Sequence, residues 1–369
     1  MKIIISGGGT GGHIYPAIAI ANTLKQYDPT SDILFVGAIG KMEMQKVPEA
    51  GYPIIGLRIR GLQRRKILQN IALPFRVIAS LWKARSILKD FRPDVVIGTG
   101  GYASAPILYM AAKQKIPTLI QEQNATVGLT NQMLAGYVDT VCVAYANMDT
   151  YFPHEKLVRT GNPVREDLMH LTGKKQAAYK QFGLVPGKKC LLVLGGSLGA
   201  QTINESILQA IDRLVAADLQ IIWATGSLYF SGTQARLTQQ QQSTVKVYPF
   251  ITSIDLAYAA ADIVVSRAGA LAVAELCVAQ KPVIFVPSPN VTADHQTKNV
   301  LPLIENNAAL MVKDHEAMQT LSQTVLDLLQ LADRQNILAK NMRYWARPQA
   351  TTAIVNEIVR LANPKTLHA

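Results

Sequence analysis

Two glycine-rich turns, far apart in the chain, constrain its fold more than any other feature. Gly7-Gly8-Gly9-Thr10-Gly11-Gly12-His13 follows the apolar run Ile3-Ile4-Ile5, and Gly195-Gly196-Ser197-Leu198-Gly199-Ala200 follows Leu191-Leu192-Val193-Leu194. Both runs are short and branched enough to be buried parallel strands, and helix-like sequence follows each turn. A strand, a glycine turn and a helix start aim unpaired backbone N–H groups and the positive end of a helix at one spot, which suits phosphate. Two such units predict two similar nucleotide-binding-type domains, with one ligand clamped between them.

With 369 residues the chain exceeds a comfortable single core, so two domains are expected. Strand-like and helix-like segments alternate in the first half: 3–6, 16–26, 33–37, 95–97 and 118–121. The second half repeats the pattern, with strands expected at 190–194, 220–224, 245–248, 263–266 and 283–287. This is the alternation of a doubly wound α/β fold. A turn-rich stretch at Thr160-Gly161-Asn162-Pro163-Val164-Arg165 reads as the hinge, and an amphipathic helix over 350–361 closes the chain. The expected domains are therefore 1–163, with the C-terminal helix of about 348–369 packing back on it, and 164–347. The Gln239–Gln242 run reads as a wet helix end.

Cys142, Cys190 and Cys277 are widely separated and form no CxxC pair, so neither a disulfide framework nor a zinc site is suggested and a reducing cytosol fits. No apolar run approaches the ~20 residues that span a bilayer. The Met1-Lys2 start leads straight into a strand, unlike a signal peptide. The net charge of +12 is concentrated. Arg58, Arg60, Arg64, Arg65, Lys66, Arg76, Lys83, Arg85, Lys89 and Arg92 face Asp90 alone between Gly56 and Arg92, which is either a solvated basic helix face or a field that attracts phosphate-rich partners such as nucleic acid or an anionic membrane.

Gly7, Gly9 and Gly12 satisfy the GxGxxG spacing, yet a dinucleotide site also needs an acidic residue at the end of the second strand to hold the ribose. Here Leu34-Phe35-Val36 ends in Gly37-Ala38. A P-loop fails because neither turn is followed by Lys-Ser or Lys-Thr. His13, where the first turn meets its helix, is either structural or a neutral imidazole able to accept a proton. The loops Gly98–Tyr102 and Gln121–Asn124 follow strands of the same sheet, and strand C-termini converge on one crevice, so both share an edge with His13. In the second half, Glu275 lies on a small-residue helix behind Gly269 and is either an ordinary exposed helix glutamate or a carboxylate that accepts both ribose hydroxyls, and Asp294, His295, Gln296 and Asn299 form a polar loop suited to sugars.

The stretches GGGTGGHIYPAIAIA at 7–21, GTGGYASAP at 98–106, QEQNATVGLTN at 121–131, GNPVRED at 161–167, GGSLGAQTIN at 195–204, RAGALAVAE at 267–275 and DHQTKN at 294–299 together resemble the MurG glycosyltransferases over essentially the whole chain. The resemblance implies a GT-B fold, two Rossmann-like domains facing across a cleft. It also implies an inverting transfer of N-acetylglucosamine from UDP-N-acetylglucosamine to lipid I, the polyprenyl-linked muramoyl pentapeptide, giving lipid II for peptidoglycan. On it, Ser197 would hold the diphosphate, the backbone at Ile251 the uracil, Glu275 the ribose with Ala270, Leu271, Ala272, Val273 and Ala274 beside it, and Gln296 with Asn124 the sugar. Thr10, Gly11 and Gly12 would line the donor sugar and acceptor, with Arg165 beside the donor. The chain departs from the family at Ala268, Ala272 and Ala274, often Ser or Thr, and at Gln121, often His.

A sugar hydroxyl is a poor nucleophile, and a positioned base gives ~10²–10⁴-fold. His13 is the first candidate and Glu122 the second. No metal cluster is evident and no cofactor is implied; helix N-terminal amides would take the charge developing on the diphosphate. Finally, Ile67, Leu68, Ile71, Phe75, Ile78 and Trp82 mark one helical face, interrupted by Pro74. Such a stripe is either core or, amid this basic segment, a membrane-surface patch at Ile71, Phe75, Ile78 and Trp82 on the cytoplasmic side of the cell membrane. Nucleic acid is a weaker reading of the same charge, because no aromatics are interleaved as stacking platforms.

Overall fold

The computed structural model describes residues 1–61, 73–196 and 198–363, and it divides into two compact units. Unit 1 is Met1–Val164 with the chain from Gln349, and unit 2 is Arg165–Pro348.

Unit 1 is built on strands β1 (Lys2–Gly7), β2 (Asp32–Ala38), β3 (Ile54–Leu57), β4 (Val95–Gly100), β5 (Thr118–Glu122), β6 (Thr140–Val143) and β7 (Leu157–Arg159). They form one seven-stranded sheet in the order β3-β2-β1-β4-β5-β6-β7. Every pairing is parallel. Ile3, Ile4 and Ile5 of the central strand are fully buried, as expected of a strand covered on both faces. The strand order reverses between β1 and β4, and there the register slips between Ser6 and Gly7. That reversal opens a crevice at the carboxyl ends of the two strands.

The helix Gly11–Tyr27 leaves directly from the glycine turn after β1. It packs with the returning helix Ala350–Ala362, whose Ile354, Val355 and Ile358 share a core with Ile3, Ile5, Ile14 and Ile20. Thr351 Oγ1 donates to the carbonyl of Val164 at 3.2 Å, tying the returning chain to the end of the first segment.

The helix Leu73–Phe91 has two faces. Ser80, Ala84, Ile87 and Leu88 are buried, whereas Phe75, Ile78 and Trp82 are exposed by 75%, 53% and 71%. Of the two readings of the apolar stripe, burial in the core is excluded for these three; Ile67, Leu68 and Ile71 lie outside the described residues.

Unit 2 repeats the design with β8 (Lys189–Leu194), β9 (Leu219–Ala224), β10 (Val245–Tyr248), β11 (Ile263–Ser266), β12 (Val283–Phe285) and β13 (Leu310–Met311). Its six-stranded sheet runs β10-β9-β8-β11-β12-β13, again parallel throughout, with the reversal between β8 and β11. The strand expected to reach Pro287 ends at Phe285, since a proline has no N–H for the ladder. Gln239–Gln242 opens a short exposed helix rather than ending one: Thr238 and Gln241 form a reciprocal capping box. Cys142, Cys190 and Cys277 are free and buried, and burial pushes each thiol up to about 12, which leaves them as small apolar packing groups.

Candidate active site

In unit 1 the crevice is organised around His13. Its Nδ1–H donates to the carbonyl of Gly8 at 3.0 Å, with Thr10 Oγ1 3.3 Å from the same nitrogen. A carbonyl can only accept, so this contact places a hydrogen on Nδ1, and in the neutral ring the lone pair is then on Nε2. The ring is seated on the loop after β4. Gly100 and Gly101 have φ of +99° and +81°, conformations open to glycine. A Cβ on Gly100 would lie 2.9 Å from His13 Cδ2 and 3.1 Å from Nε2, while one on Gly101 would collide with the Gly8 carbonyl. Thr99 Oγ1 donates to the His13 carbonyl at 2.7 Å and closes the contact from below. Thr10 and Gly12 are exposed and Gly11 is half-buried, at the mouth of this loop.

Glu122, at the end of β5, is buried, and both its oxygens are engaged. Oε1 accepts from Asn124 N at 3.1 Å and from Asn124 Nδ2 at 3.4 Å, and Oε2 from Gly128 N at 3.0 Å and Asn131 Nδ2 at 2.9 Å. A carboxylate so occupied pins the loop that carries Asn124 and is poorly placed to take a substrate proton. Beneath it, Gln121, Gln123 and Asn162 form a buried network: Gln121 Nε2 donates to Asn162 Oδ1 at 3.0 Å, Asn162 Nδ2 to the Gln123 carbonyl at 2.9 Å, and Gln123 Nε2 to the Thr99 carbonyl at 2.8 Å. Gln121, where a histidine was expected by resemblance, is thus a structural amide linking β5 to the end of the first segment.

The acidic residue missing from the end of β2 is supplied by a residue the sequence reading passed over. Glu43, fully buried, accepts from Ala38 N and Gly9 N, each at 3.0 Å. It faces the glycine turn rather than a ribose. With a carboxylate filling one of its amides, the first turn is a poorer phosphate cradle than its glycines alone suggest.

In unit 2 the glycine turn after β8 is packed backbone to backbone against the turn after β9. A Cβ on Gly199 would collide with the Thr225 carbonyl, and one on Gly226 with the Gly199 backbone, so both positions are closed to side chains. Asn204 ties the following helix, Gln201–Gln209, to β9: its Nδ2 donates to the Thr225 carbonyl at 2.9 Å and its Oδ1 accepts from Trp223 Nε1 at 3.0 Å. Ser197 lies outside the described residues. Across the reversal, Arg267 Nη1 donates to the carbonyls of Val286 and Pro287 and pairs with Asp314, fixing the exit of β11.

The helix Ala270–Ala279 starts from Gly269, where a Cβ would meet nothing within 4 Å. Leu271, Ala272 and Ala274 are half-buried, Ala270 and Val273 are buried, and the Val273 amide donates to the Gly269 carbonyl as the first bond of the helix. One turn on, Glu275 Oε2 accepts from Tyr258 OH at 3.3 Å and Oε1 lies 3.7 Å from Arg165 Nε. Burial pushes the Glu275 carboxyl above its ordinary range, with Arg165 pulling it back.

Gln296 uses its side-chain carbonyl to accept from Ser288 N at 2.8 Å. Just before it, Ala293 and Asp294 both have left-handed backbone, at φ of +54° and +51°, strain of the kind stored near functional loops. The Ile251 side chain is buried in the core, leaving only its backbone for a ligand.

Residues 3–143 match the glycosyltransferase family 28 N-terminal domain, and residues 190–354 the glycosyltransferase family 28 C-terminal domain. The chain is 52% identical over 360 residues to the UDP-N-acetylglucosamine--N-acetylmuramyl-(pentapeptide) pyrophosphoryl-undecaprenol N-acetylglucosamine transferase of Amoebophilus asiaticus, covering 97% of this chain and 99% of that one. The transferase of the same name from Cytophaga hutchinsonii is 52% identical over 362 residues, with 98% and 97% covered. Among solved structures, Acinetobacter baumannii MurG superposes with a TM-score of 0.77 at 30% identity, covering 97% of this chain and 99% of that one.

Proposed function

This chain belongs to the MurG family of glycosyltransferases, with the GT-B fold of two parallel α/β sheets, and we propose that unit 2 holds the sugar donor while unit 1 supplies the base. It transfers N-acetylglucosamine from UDP-N-acetylglucosamine to lipid I, forming lipid II. The observation that carries the division of labour is the His13 Nδ1–H donation to Gly8, which leaves Nε2 as the proton acceptor.

The muramoyl C4 oxygen forms a bond to the anomeric carbon while the bond from that carbon to the diphosphate oxygen breaks, and the hydroxyl proton passes to His13 Nε2. Attack opposite to departure inverts the anomeric centre. Charge appears on the leaving UDP, where the glycine turn after β8, with Ser197, and the N-terminus of the helix Gln201–Gln209 stabilise it. Glu275 accepts the ribose hydroxyls, the Ile251 backbone reads the uracil, Ala270, Leu271 and Ala272 bring the helix start against the nucleotide, and Arg165 meets the donor through its pairing with Glu275. Gln296 and Asn124 take the sugar, and Thr10, Gly11 and Gly12 line the acceptor. Glu122 is a positioning residue for Asn124, and Val273 and Ala274 are part of the helix frame.

The enzyme acts as a peripheral protein on the cytoplasmic face of the cell membrane. Among the described residues no helix is long and apolar enough to cross a membrane. Phe75, Ile78 and Trp82 instead offer an exposed apolar row bordered by Lys83, Arg85 and Lys89, suited to an anionic surface and a polyprenyl acceptor. Ile71 extends the row in sequence.

The test is the anomeric configuration of the disaccharide made from UDP-N-acetylglucosamine and a lipid I analogue, read from its proton couplings. A β linkage from the α-linked donor supports single-displacement inversion; an α linkage overturns it.

A further inference from the structure

The most deeply buried carboxylate near the first glycine turn is not among the residues just assigned. Glu43 stands in the first turn of the short helix Glu43–Glu49 with none of its surface exposed. It occupies a slot that two glycines leave open: a Cβ on Gly8 would collide with its carboxylate, and a Cβ on Gly37 would lie 2.5 Å from its Cγ. Its oxygens accept from Ala38 N, at the end of β2, and from Gly9 N, in the turn after β1. A buried carboxylate is costly unless hydrogen-bonded, so both the amides and the glycine slot are needed to keep it there.

What it holds is the segment that orients the base. Gly9 is at φ +86°, Gly8 N donates to the Gly100 carbonyl at 3.3 Å, and the Gly8 carbonyl takes the His13 Nδ1 proton at 3.0 Å. We propose that Glu43 is a positioning residue for transfer: by fixing Gly8–Gly9 from behind, it holds the carbonyl that sets the His13 tautomer and aims Nε2 at the acceptor hydroxyl. This rests on His13 being the base. An ordinary framework role for Glu43 would alter stability but not the imidazole.

The experiment uses the full chain labelled with ¹⁵N-histidine. Glu43→Gln keeps the side-chain volume but can accept from only one of the two amides at a time. The expected result is a kcat lowered by about 10-fold or more, the scale of misplacing a catalytic group. The KM for UDP-N-acetylglucosamine stays within about twofold, because Glu43 touches none of the residues assigned to the nucleotide or its sugar. In step, the His13 ring nitrogens move from a single Nδ1–H tautomer to a mixture of both.

Should that variant not fold, Glu43→Asp, which retracts the carboxylate by one methylene, is read in the same way. The proposal is overturned by a kcat within about twofold of the parent, by a loss of kcat with unchanged His13 nitrogen signals, or by failure of both variants to fold, which would make Glu43 a framework residue. Failure of the base assignment is separate: it would show as His13→Ala retaining turnover.

Discussion

His13 Nδ1 lies 3.0 Å from the carbonyl oxygen of Gly8, and the opposite edge of the ring rests on Gly100, where a Cβ would come within 3.1 Å of Nε2. The imidazole is therefore held in one orientation by two glycines, one in the turn after β1 and one at the end of β4. Gly100→Ala should push the ring off its seat and strain a backbone at φ +99°, costing about 1–3 kcal/mol. Turnover should fall much further than the melting temperature implies, with UDP affinity intact by calorimetry. Parent-like turnover in Gly100→Ala would show that the ring position does not matter.

Glu275 is expected to trade stability for binding. Its carboxyl is raised by burial, so the folded protein holds that proton to higher pH than the unfolded chain does. Stability therefore falls as pH rises from the ordinary carboxyl range through the raised value, and at neutral pH the charged form is a net cost to folding. Glu275→Gln should leave the melting temperature at pH 7 unchanged or higher, while Tyr258 keeps an acceptor. Donor affinity should weaken by about 1.5–3 kcal/mol, the scale for hydrogen bonds to a charged group. A lower melting temperature with unaltered UDP-N-acetylglucosamine affinity would make Glu275 structural.

The exposed row on the helix Leu73–Phe91 separates membrane binding from folding. Phe75 and Trp82 are 75% and 71% exposed, so Phe75→Ser combined with Trp82→Ser should not lower the melting temperature. Co-sedimentation with acidic vesicles should drop, and for the parent it should weaken with salt, which screens surface charge beyond ~8–10 Å. Activity on a short-chain acceptor should persist. Undiminished vesicle binding by the double variant would place the membrane contact elsewhere.

The glycine turns were legible because each follows a run that can only be a buried strand, and the strand–turn–helix unit fixes where its loop must lie. Ile54–Leu57, Thr140–Val143, Leu157–Arg159 and Leu310–Met311 escaped notice: at two to four residues no periodicity declares itself, and of the strands this short only some, such as Val245–Tyr248 and Ile263–Ser266, could be read from their branched residues. The outward face of Trp82 could not be told from a core stripe by spacing alone, since both repeat every three to four residues. Glu43 was invisible for a different reason: an acidic residue in the first turn of a helix is ordinary, and what distinguishes it is the slot formed by Gly8 and Gly37, which lie far from each other in sequence. Glu122 illustrates the reverse. A carboxylate beside the crevice reads as a base until Asn124, Gly128 and Asn131 are seen to occupy its oxygens.

The most direct test compares transfer of radiolabelled N-acetylglucosamine to a lipid I analogue by the parent and by His13→Ala, with UDP affinity measured alongside. Turnover should fall by at least about 10²-fold, since proton removal matters only once the acceptor attacks, and UDP affinity should be unchanged. Turnover that survives in His13→Ala but vanishes in a folded Glu122→Gln would contradict the assignment of the base to His13.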